Sequence, residues 1–333
     1  MNKLDFNVKH NIKIILALGF FDSVHIGHKH LIEKMIDLSS ELGAESAVFT
    51  FINSPFELFR KEDKEILTFD ERCKVFDSLG IKNVIYAKMD ENFMSLDKDV
   101  FLDTICENYD VCGIVCGSDY TYGKFASGNI DTLSAYCNSH NIKLIVDNLV
   151  EFEGYKISST RIREHIKNGE IEKVNNLLGN KYFIEGEVIH CAGRGRNLGF
   201  PTANILLKDS KLALKNAVYQ TIVTVDNVRY KAITNVGERP TFSENSYIIE
   251  SYIEHFNEDI YGKVITVEFV KKLRDIIFFK SKDELIKQLE TDKQSLKELK
   301  LWLNLVLLVI ANLFIMMDIS IPSKFLLGLK WEI

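Results

Sequence analysis

Two histidines three residues apart, His25 and His28, lie where an apolar strand-like run meets the start of a helical pattern. The first turn of a helix offers unpaired backbone N–H groups and the positive end of the helix dipole, and both attract anions. Two imidazoles at this point can donate hydrogen bonds to nucleotide phosphates and stabilise the charge on departing pyrophosphate. Gly27 between them lets a ligand approach the backbone closely. The spacing predicts a phosphate site, with ordinary surface or helix-capping histidines as the alternative.

A second group of candidate phosphate-binding side chains lies in the segment ISSTRIR, residues 157–163. The hydroxyls of Ser159 and Thr160 stand at a predicted helix start, and Arg161 and Arg163 follow them. Guanidinium groups bind phosphate oxygens in a bidentate manner. The segment predicts a second phosphate clamp, because a capped amphipathic helix without function needs the hydroxyls but not both arginines.

Asp119 lies in the segment GSDYTYG, residues 117–123, which follows a predicted strand and also contains two tyrosines and two glycines. These residue types can line a pocket for a flat ring. A surface turn is an equally good interpretation of the residue types alone. Because ligands of parallel sheets bind at the carboxyl ends of the strands, Asp119 is a candidate binding residue on the same edge as His25.

The second half of the chain contains a glycine-rich loop with Gly193, Gly195 and Gly199. Three glycines within seven residues allow backbone N–H groups to wrap a phosphate. Thr202 and Asn204, just beyond the loop, supply oxygen ligands that suit Mg²⁺. The loop predicts an anion-binding site, although a plain hairpin is the stronger interpretation of the glycines alone.

Glu250 lies in the middle of an apolar strand pattern. It is either an outward-facing strand residue or, if it faces a pocket, a base that removes the proton from an attacking alcohol. The residue pattern leaves both interpretations open.

The elements that position these residues alternate in type over the first half. The predicted strands are Ile12–Leu18, Ser46–Phe51, Asn83–Ala87, Gly113–Cys116 and Lys143–Val146, and the predicted helices are Lys29–Leu42, Asp70–Leu79, Lys98–Asn108 and Ile130–His140. Regular alternation of strands and helices predicts a parallel sheet that is covered by helices on both faces.

Beyond Gly179 the predicted strands follow one another without helices between them. They are Tyr182–His190, Val218–Val225, Tyr230–Asn235, Ile248–His255 and Val264–Lys271, and a helix over Lys282–Leu299 closes the series. This rhythm indicates an antiparallel barrel or sandwich. We therefore predict one domain over 1–180, a second over 181–299, and a hydrophobic tail over 300–333.

Composition limits the possible partners and compartment. The chain has 333 residues, and its net charge of −6 provides no global basic field for nucleic acid. The six cysteines include no Cys-x-x-Cys pair, and the first residues lack the apolar core of a signal peptide. These features predict a cytoplasmic protein that binds phosphate ligands through local groups.

The tail contains an apolar run, Leu301–Met317, in which only Asn304 and Asn312 are polar. Seventeen residues are slightly short of the roughly 20 that span a bilayer, but they lie within the range that can. A buried core helix and a membrane contact are equally good interpretations of this run.

Six motifs occur in a fixed order: GFFDSVHIGH, GSDYTYG, ISSTRIR, GRNLGFPTAN, NVGERPTF and EDIYG. Together they resemble the bifunctional riboflavin kinase/FAD synthetase family of bacteria, over about residues 12–292. The resemblance implies an α/β fold class, with an N-terminal Rossmann-like nucleotidyltransferase domain that contains a parallel sheet and a C-terminal antiparallel β-barrel domain with a closing helix. It also implies two reactions, which phosphorylate riboflavin to FMN with ATP and adenylylate FMN to FAD with release of pyrophosphate.

The resemblance also assigns residue roles. In the N-terminal module the ATP phosphates and the pyrophosphate would be held by His25, His28, Ser159, Thr160, Arg161 and Arg163. Asp119 would lie beside the nucleotide or flavin. In the C-terminal module Thr202 and Asn204 would bind Mg²⁺ with ATP, the loop Gly193–Gly199 would cover the phosphates, Glu250 would activate the hydroxyl, and Asn235 and Arg274 would border the site.

Five positions depart from the family pattern, and in two of them Ala217 replaces a glycine and Leu214 a nearby proline. Ser23 replaces a glycine and would be strained if the turn requires a positive φ angle, Ser54 replaces a histidine near the ATP site, and Ile276 replaces an acid near the flavin. A kinase with a degenerate adenylyltransferase module is therefore one alternative function. A regulatory protein that binds flavin or nucleotide without catalysis is another.

Overall fold

The computed structural model describes residues 1–55, 64–148, 151–152, 154–191, 199–238, 247–297 and 299. Six strands of the first half form one parallel sheet: β1 (Asn2–Asp5), β2 (Lys13–Leu18), β3 (Glu45–Phe51), β4 (Asn83–Ala87), β5 (Asp110–Gly117) and β6 (Lys143–Asp147). Their order across the sheet is β1-β4-β3-β2-β5-β6. The central strand β2 is buried from Ile14 to Leu18, as expected for a strand covered on both faces.

The helices between these strands are α1 (Ile26–Leu42), α2 (Phe69–Ser78), α3 (Glu91–Met94), α4 (Lys98–Asn108) and α5 (Ile130–Ser139). Helix α1 ends at Gly43, which has a left-handed conformation with φ 58°. Helix α2 begins with a capping box, in which Thr68 and Glu71 each accept a backbone N–H bond from the other residue.

The sheet reverses its direction of growth between β2 and β5. The chain proceeds from β2 through β3 to β4 on one side and then returns to β5 and β6 on the other. The loops that follow β2 and β5 therefore diverge and leave a crevice at the carboxyl ends of these strands, which is where open α/β sheets bind ligands. His25 follows β2 and Asp119 follows β5.

A short hairpin of β7 (Glu151–Phe152) and β8 (Tyr155–Lys156) leads into α6 (Ser159–Asn168) and α7 (Ile171–Leu178). Helices α6 and α7 end at Gly169 and Gly179, whose φ angles of 74° and 67° are the left-handed values that favour glycine.

The remaining strands form one antiparallel sheet: β9 (Phe183–Glu187), β10 (Thr202–Leu206), β11 (Ala217–Val225), β12 (Val228–Glu238), β13 (Tyr247–Ile253) and β14 (Val264–Asp275). Their order is β10-β13-β12-β11-β14-β9. An antiparallel bridge between Val188 and Ile205 then joins the two ends of the sheet and closes it into a barrel. A helix over 282–297, here α8, covers one face.

The predicted fold class is confirmed: a parallel α/β sheet precedes an antiparallel barrel with a closing helix. Each strand predicted for the first half is present within one to three residues at each end. The sequence did not predict the strands β1, β7, β8 and β10 or the helices α3 and α7. All except α7 have only two to five residues, which is too short for a clear hydrophobic period. Helix α7 has eight residues. The predicted strand Tyr182–His190 is confined to Phe183–Glu187.

Both halves contribute to one hydrophobic core. Ile15 and Val115 from the parallel sheet belong to the same cluster of buried residues as Ile184 and Phe269 from the barrel. The predicted boundary near Asn180 falls between α7 and β9, and it stays a prediction because the packing is continuous across it.

Six charged side chains are buried where the two halves meet. This junction cluster comprises Asp22, Glu65, Glu71, Arg72, Arg163 and Lys211, and none is more than 7% exposed. Three acids and three bases make it neutral overall. Such a cluster is stable only when its members are paired, because an uncompensated buried charge costs several kcal/mol.

Arg72 is the best connected member of the junction cluster. Its guanidinium is 0% exposed and donates to the carbonyl oxygens of Phe20 at 2.9 Å and Phe51 at 2.8 Å. It also pairs with Glu65 at 3.1 Å and donates to the hydroxyl of Thr50. One side chain therefore connects the ends of β2 and β3 with the segment before α2.

The hydrophobic run Leu301–Met317 lies outside the described residues. Among the helices that the structure describes, none is both long and apolar enough to cross a membrane.

We expect the substitution Arg72→Met to lower the free energy of unfolding by about 3–5 kcal/mol, because the buried Glu65 carboxylate would lose the guanidinium and the carbonyl oxygens of Phe20 and Phe51 would lose their donor. Arg229→Met is the matched control, since Arg229 forms an exposed ion pair with Glu268 at 2.7 Å and its loss should cost less than about 1 kcal/mol. Urea unfolding of both variants measures the difference. Equal losses would show that the junction cluster contributes no more than a surface pair.

Candidate functional site

The first cavity lies at the crevice between the loops that follow β2 and β5. It has a volume of about 250 Å³, and its lining includes His25, His28, Asp119, Tyr120, Lys156 and Ser159. The structure thus brings together side chains from the three N-terminal motifs that the sequence singled out.

The β2–α1 loop places His25 at the N-cap of α1. Phe21 and Val24 have positive φ angles of 55° and 45°, and these turn the chain sharply into the helix. The His25 Nδ1 atom accepts a hydrogen bond from the backbone N–H of His28 at 3.1 Å. Since Nδ1 is an acceptor, the proton of the neutral ring belongs on Nε2. The loop therefore fixes the tautomer of His25.

The two histidines stack on each other; His25 is buried and His28 is half-buried. Their ring centroids lie 3.6 Å apart with the planes at 11°. Burial lowers the pKa of His25 to about 4, and burial together with the neighbouring His25 ring lowers the pKa of His28 well below its usual value. Both rings are neutral at pH 7 in the structure. The buried Nδ1 atom of His28 has no hydrogen-bond partner among the described residues, which is what a ligand-binding atom shows before its ligand arrives.

Ser23 is not strained, contrary to the expectation from its replacement of a glycine. The residues of this turn with positive φ angles are Phe21 and Val24, and Ser23 is not among them. Its buried hydroxyl lies 3.1 Å from the hydroxyl of Ser159. The serine thus joins the two phosphate-binding motifs directly. Ser54, which replaces the family's histidine, is fully buried.

The side chains of residues 158–163, the second predicted phosphate clamp, point in different directions around α6. Ser158 caps the helix by accepting a hydrogen bond from Arg161 N at 3.3 Å, and Ser159 lines the first cavity, whereas Thr160 is exposed. Arg161 donates to the carbonyl oxygen of Phe152 at 3.4 Å and lies over the Tyr155 ring.

Arg163 points away from the cavity. Its side chain is 8% exposed, forms an ion pair with Asp22 and donates to the carbonyl oxygen of Lys64. The sequence predicted that this arginine grips phosphate, but neither it nor Arg161 lines the first cavity in the structure. The reason is the helical period, which puts residues 159 and 163 on one side of α6 but at different depths, so that the longer side chain reaches the junction cluster.

Two charged residues of the first cavity were missed by the sequence reading. Lys156 pairs with Asp119 at 2.6 Å across the cavity mouth. Asp147, at the end of β6, is 3% exposed and is held by Lys34 and His30. Burial acts to raise the pKa of Asp147, but the hydrogen bonds from Lys34 and His30 outweigh it, so the pKa is lowered. Lys156 and Asp147 are each the last residue of a strand, and the available signal was that Asp147 directly follows the predicted strand Lys143–Val146.

The second group of candidate residues forms a row across the barrel. In the registers of neighbouring strands, Asn204 of β10 faces Glu250 of β13, Glu250 faces Asn235 of β12, and Val218 of β11 lies between Asn235 and Arg274 of β14. Residues of such a row point to the same face of the sheet. The register therefore settles the open question about Glu250, because this face lines a pocket.

Two cavities meet at this row. The second cavity, of about 410 Å³, is lined by Pro201, Thr202 and residues of the β13–β14 connection. The third cavity, of about 330 Å³, lies between the sheet and α8, and its lining includes Glu250, Asn235, Arg274, Val218, Ile233 and Ile277. Thr202 lines both cavities, so a group bound in one can reach a group bound in the other.

Thr202 lies where the cavities meet, and Asn204 lies beside it on β10 without lining either cavity. The Thr202 hydroxyl donates to Glu250 Oε1 at 2.9 Å, and Asn204 Nδ2 donates to the carbonyl oxygen of Thr202 at 3.2 Å. Asn204 is 5% exposed, and its side-chain oxygen has no hydrogen-bond partner among the described residues. Buried oxygens are normally paired, so this atom suits a cation or a bound ligand.

Arg274 is oriented by helix α8. Its guanidinium binds the buried carboxylate of Asp292 with contacts of 2.7 to 3.1 Å, and Gln288 also donates to Asp292 at 2.9 Å.

Of the three glycines in the predicted phosphate-binding loop, Gly199 has a φ angle of 82°, while Gly193 and Gly195 lie outside the described residues.

The lowered pKa of His25 predicts a pH-dependent stability. Because the unfolded residue has a pKa near 6.5 and the folded one about 4, the unfolded chain binds the proton first, and the fold loses stability as the pH falls through this window. The variant His25→Gln retains an acceptor for the N–H of His28 and should lose less stability between pH 7 and pH 5. Urea unfolding at both values measures this difference, and identical losses in both proteins would contradict it.

Comparisons with known proteins agree with these two sites. The family model described as FAD synthetase matches residues 7–161, and the family model described as riboflavin kinase matches residues 178–300.

Individual relatives match almost the whole described chain. A bifunctional riboflavin kinase/FMN adenylyltransferase of Bacillus subtilis (strain 168) is 36% identical over 288 residues, which cover 85% of this chain and 91% of the relative. Its counterpart in Haemophilus influenzae is 32% identical and 92% covered. A solved structure described as a macrolide-efflux protein from Streptococcus pneumoniae shares the fold, with a TM-score of 0.80 and 29% identity over 88% of this chain and 98% of that chain. The chain therefore belongs to the bifunctional riboflavin kinase/FMN adenylyltransferase family and carries both of its domains.

Proposed function

We propose that the C-terminal half phosphorylates riboflavin with ATP to give FMN, and that the N-terminal half adenylylates FMN with ATP to give FAD and pyrophosphate. The observation that carries this proposal is the presence of two separate polar sites in one chain. One is the stacked histidine pair at the crevice of the parallel sheet, and the other is the row of Asn204, Glu250 and Asn235 in the barrel.

In the kinase site Glu250 is the general base. It would take the proton from the ribityl 5′-hydroxyl as that oxygen attacks the γ-phosphorus of ATP, and the bond from this phosphorus to the bridging oxygen of the β-phosphate breaks to release ADP. The third cavity would hold the flavin, since apolar side chains such as Val218 and Ile233 line it and Asn235 and Arg274 supply polar contacts. The second cavity would hold ATP.

Mg²⁺ fits the side-chain oxygens of Thr202 and Asn204, beside the point where these cavities meet. Thr202 and Asn204 would hold it, and the side-chain oxygen of Asn204 without a partner supports this assignment. Such a hard cation usually keeps several waters and binds substrate phosphates, so two neutral protein ligands suffice. When bound, it would neutralise charge on the phosphates.

In the adenylyltransferase site the FMN phosphate attacks the α-phosphorus of ATP, and the bond to the β-phosphate oxygen breaks. This reaction needs alignment and charge stabilisation more than a base, because the attacking oxygen is already ionised. Neutral His25 and His28 would donate hydrogen bonds to the phosphates, together with Ser159 and the N-terminus of α1. Thr160 and Arg161 follow Ser159 on α6, and Arg161 would contact a ligand if it gave up its hydrogen bond to the carbonyl oxygen of Phe152.

Asp119 and Lys156 form an ion pair in the lining of the first cavity. We propose that their ion pair opens when nucleotide or FMN binds, so that Lys156 contacts phosphate and Asp119 contacts a hydroxyl or ring N–H of the ligand. Arg163 acts as a positioning residue through Asp22.

We also propose a cytoplasmic location, supported by cysteines such as Cys73 and Cys116 that serve as buried core residues.

The proposed function is tested by incubating the purified chain with riboflavin, ATP and Mg²⁺ and separating the flavins over time by chromatography. We expect FMN to appear first and FAD to follow. FMN alone would indicate a kinase with a degenerate first module, and a folded protein that binds flavin without product would indicate a regulatory role.

We expect Glu250→Gln to slow FMN formation by about 10²–10⁴-fold, because the hydroxyl would lose its general base. FAD formation from supplied FMN should be unchanged, since it uses the other half. Glu254→Gln, on the loop after the same strand, is the matched control and should change neither rate. A folded Glu250→Gln variant that lost both activities would contradict the assignment of two separate sites.

We expect the reverse for His28→Ala. Loss of one preorganised donor to the developing charge should slow FAD formation by about 10²–10³-fold while leaving FMN formation intact. His140→Ala provides the control, because His140 stacks on Tyr136 away from the first cavity. Normal FAD formation by the His28 variant would remove this histidine from the reaction.

A further inference from the structure

Lys211 belongs to the barrel half of the sequence, but its ammonium group contacts residues of the first half, which contains the first cavity. It follows β10, is 2% exposed, and pairs with Glu71 of α2. It also donates to the carbonyl oxygens of Ile66 at 3.0 Å and Phe183 at 3.1 Å. Three acceptors thus satisfy the three N–H groups of one buried ammonium.

The backbone around Lys211 is also paired with the first half. Glu65 and Lys211 form a parallel bridge, in which Glu65 N donates to Ser210 O at 2.8 Å and Leu212 N donates to Glu65 O at 2.7 Å. The barrel therefore fixes the position of the segment over 64–67.

The same segment holds the loop that carries the histidines. Ile66 N donates to the Asp22 side chain at 3.0 Å, and Leu67 N donates to the Asp22 carbonyl at 3.1 Å. Asp22 in turn pairs with Arg163 of α6 and lies three residues before His25. A continuous set of hydrogen bonds thus leads from Lys211 to both phosphate-binding motifs of the first cavity.

Among the described residues, the side-chain partners of Lys211 do not include the lining of the kinase site. Its ammonium group contacts residues 66, 71 and 183 and lies 4.9 Å from the Tyr182 ring centroid, and none of these residues lines the second or the third cavity. A substitution at this position should therefore separate the two activities of the chain.

We propose that Lys211 is a positioning residue of the adenylyltransferase site, supplied by the kinase half, which holds segment 64–67 and through Asp22 sets the position of His25 and His28. This inference rests on the proposed adenylyltransferase function. A displacement of about 1 Å in a catalytic group can cost on the order of 10²-fold in rate, so a support below the loop can matter without touching substrate.

The test is the substitution Lys211→Met, which keeps the length of the side chain and removes its charge. We expect kcat for FAD formation from FMN to fall at least about tenfold with little change in the KM for FMN, because the loop moves while the cavity persists. The rate of riboflavin phosphorylation in the same preparation should stay at the wild-type value. Lys211→Arg should restore part of the lost kcat.

Two further variants separate positioning from general destabilisation. In Lys211→Met/Glu71→Gln no buried carboxylate is left without its base. The single amide oxygen still accepts the N–H of Thr68, whereas the N–H of Glu185 loses its acceptor, which costs less than an unpaired buried charge. This variant should therefore fold and show the same selective loss. Lys208→Met removes an exposed lysine of the same segment and should leave both activities at wild-type values.

An equal fall in both activities, or no fall in either, would overturn the proposal. If the wild type formed no FAD at all, the proposed adenylyltransferase function would fail, and amide hydrogen exchange would still decide the inference. Faster exchange at residues 64–68 and 22–28 in Lys211→Met than in the wild type supports a positioning role. Unchanged exchange there contradicts it.

Discussion

The structure depends on the burial of six charged side chains between its two halves. Moving such groups out of water costs several kcal/mol each, and only complete pairing offsets this cost. Each acid of the junction cluster accordingly meets a base: Asp22 with Arg163, Glu65 with Arg72, and Glu71 with Lys211. Glu71 and Lys211 belong to different halves, so sliding one half against the other would break this pair. The other two pairs lie within the first half and hold the loops attached to them.

The positions of His25 and His28 depend on the junction cluster, which holds the loop before them. A loop with two positive φ angles in residues other than glycine is costly, and such backbone persists where the surrounding structure over-determines it. Arg72 binds the Phe20 carbonyl at one end of the loop, and Asp22 is held in the middle. The imidazoles are therefore stacked and neutral in fixed positions, and in the proposed function they would present N–H donors with little reorganisation when charge develops on the phosphates.

The kinase site has a different physical origin. Its polar residues lie on strands, so their mutual positions are set by the registers of hydrogen-bonded neighbours rather than by a loop. The bridge between Val188 and Ile205 closes the sheet beside Thr202 and Asn204, and α8 covers the same face through the Asp292 pair with Arg274. The second and third cavities therefore form on both sides of Thr202 without support from the junction cluster. This independence agrees with the separation of the two reactions within one chain.

Local patterns in the sequence determined the two fold classes, the long helices and strands, and the motifs that approach the first cavity, because hydrophobic period and capping act within a few residues. They left open whether Glu250 faces a pocket, and they assigned Arg163 to phosphate. Only the tertiary structure decided these points. The register of β13 turns Glu250 toward the third cavity, and the partner of Arg163 lies 141 residues away, as that of Lys211 lies 140 residues away. Pairs so distant along the chain are selected by the packing of whole sheets, which no local pattern encodes.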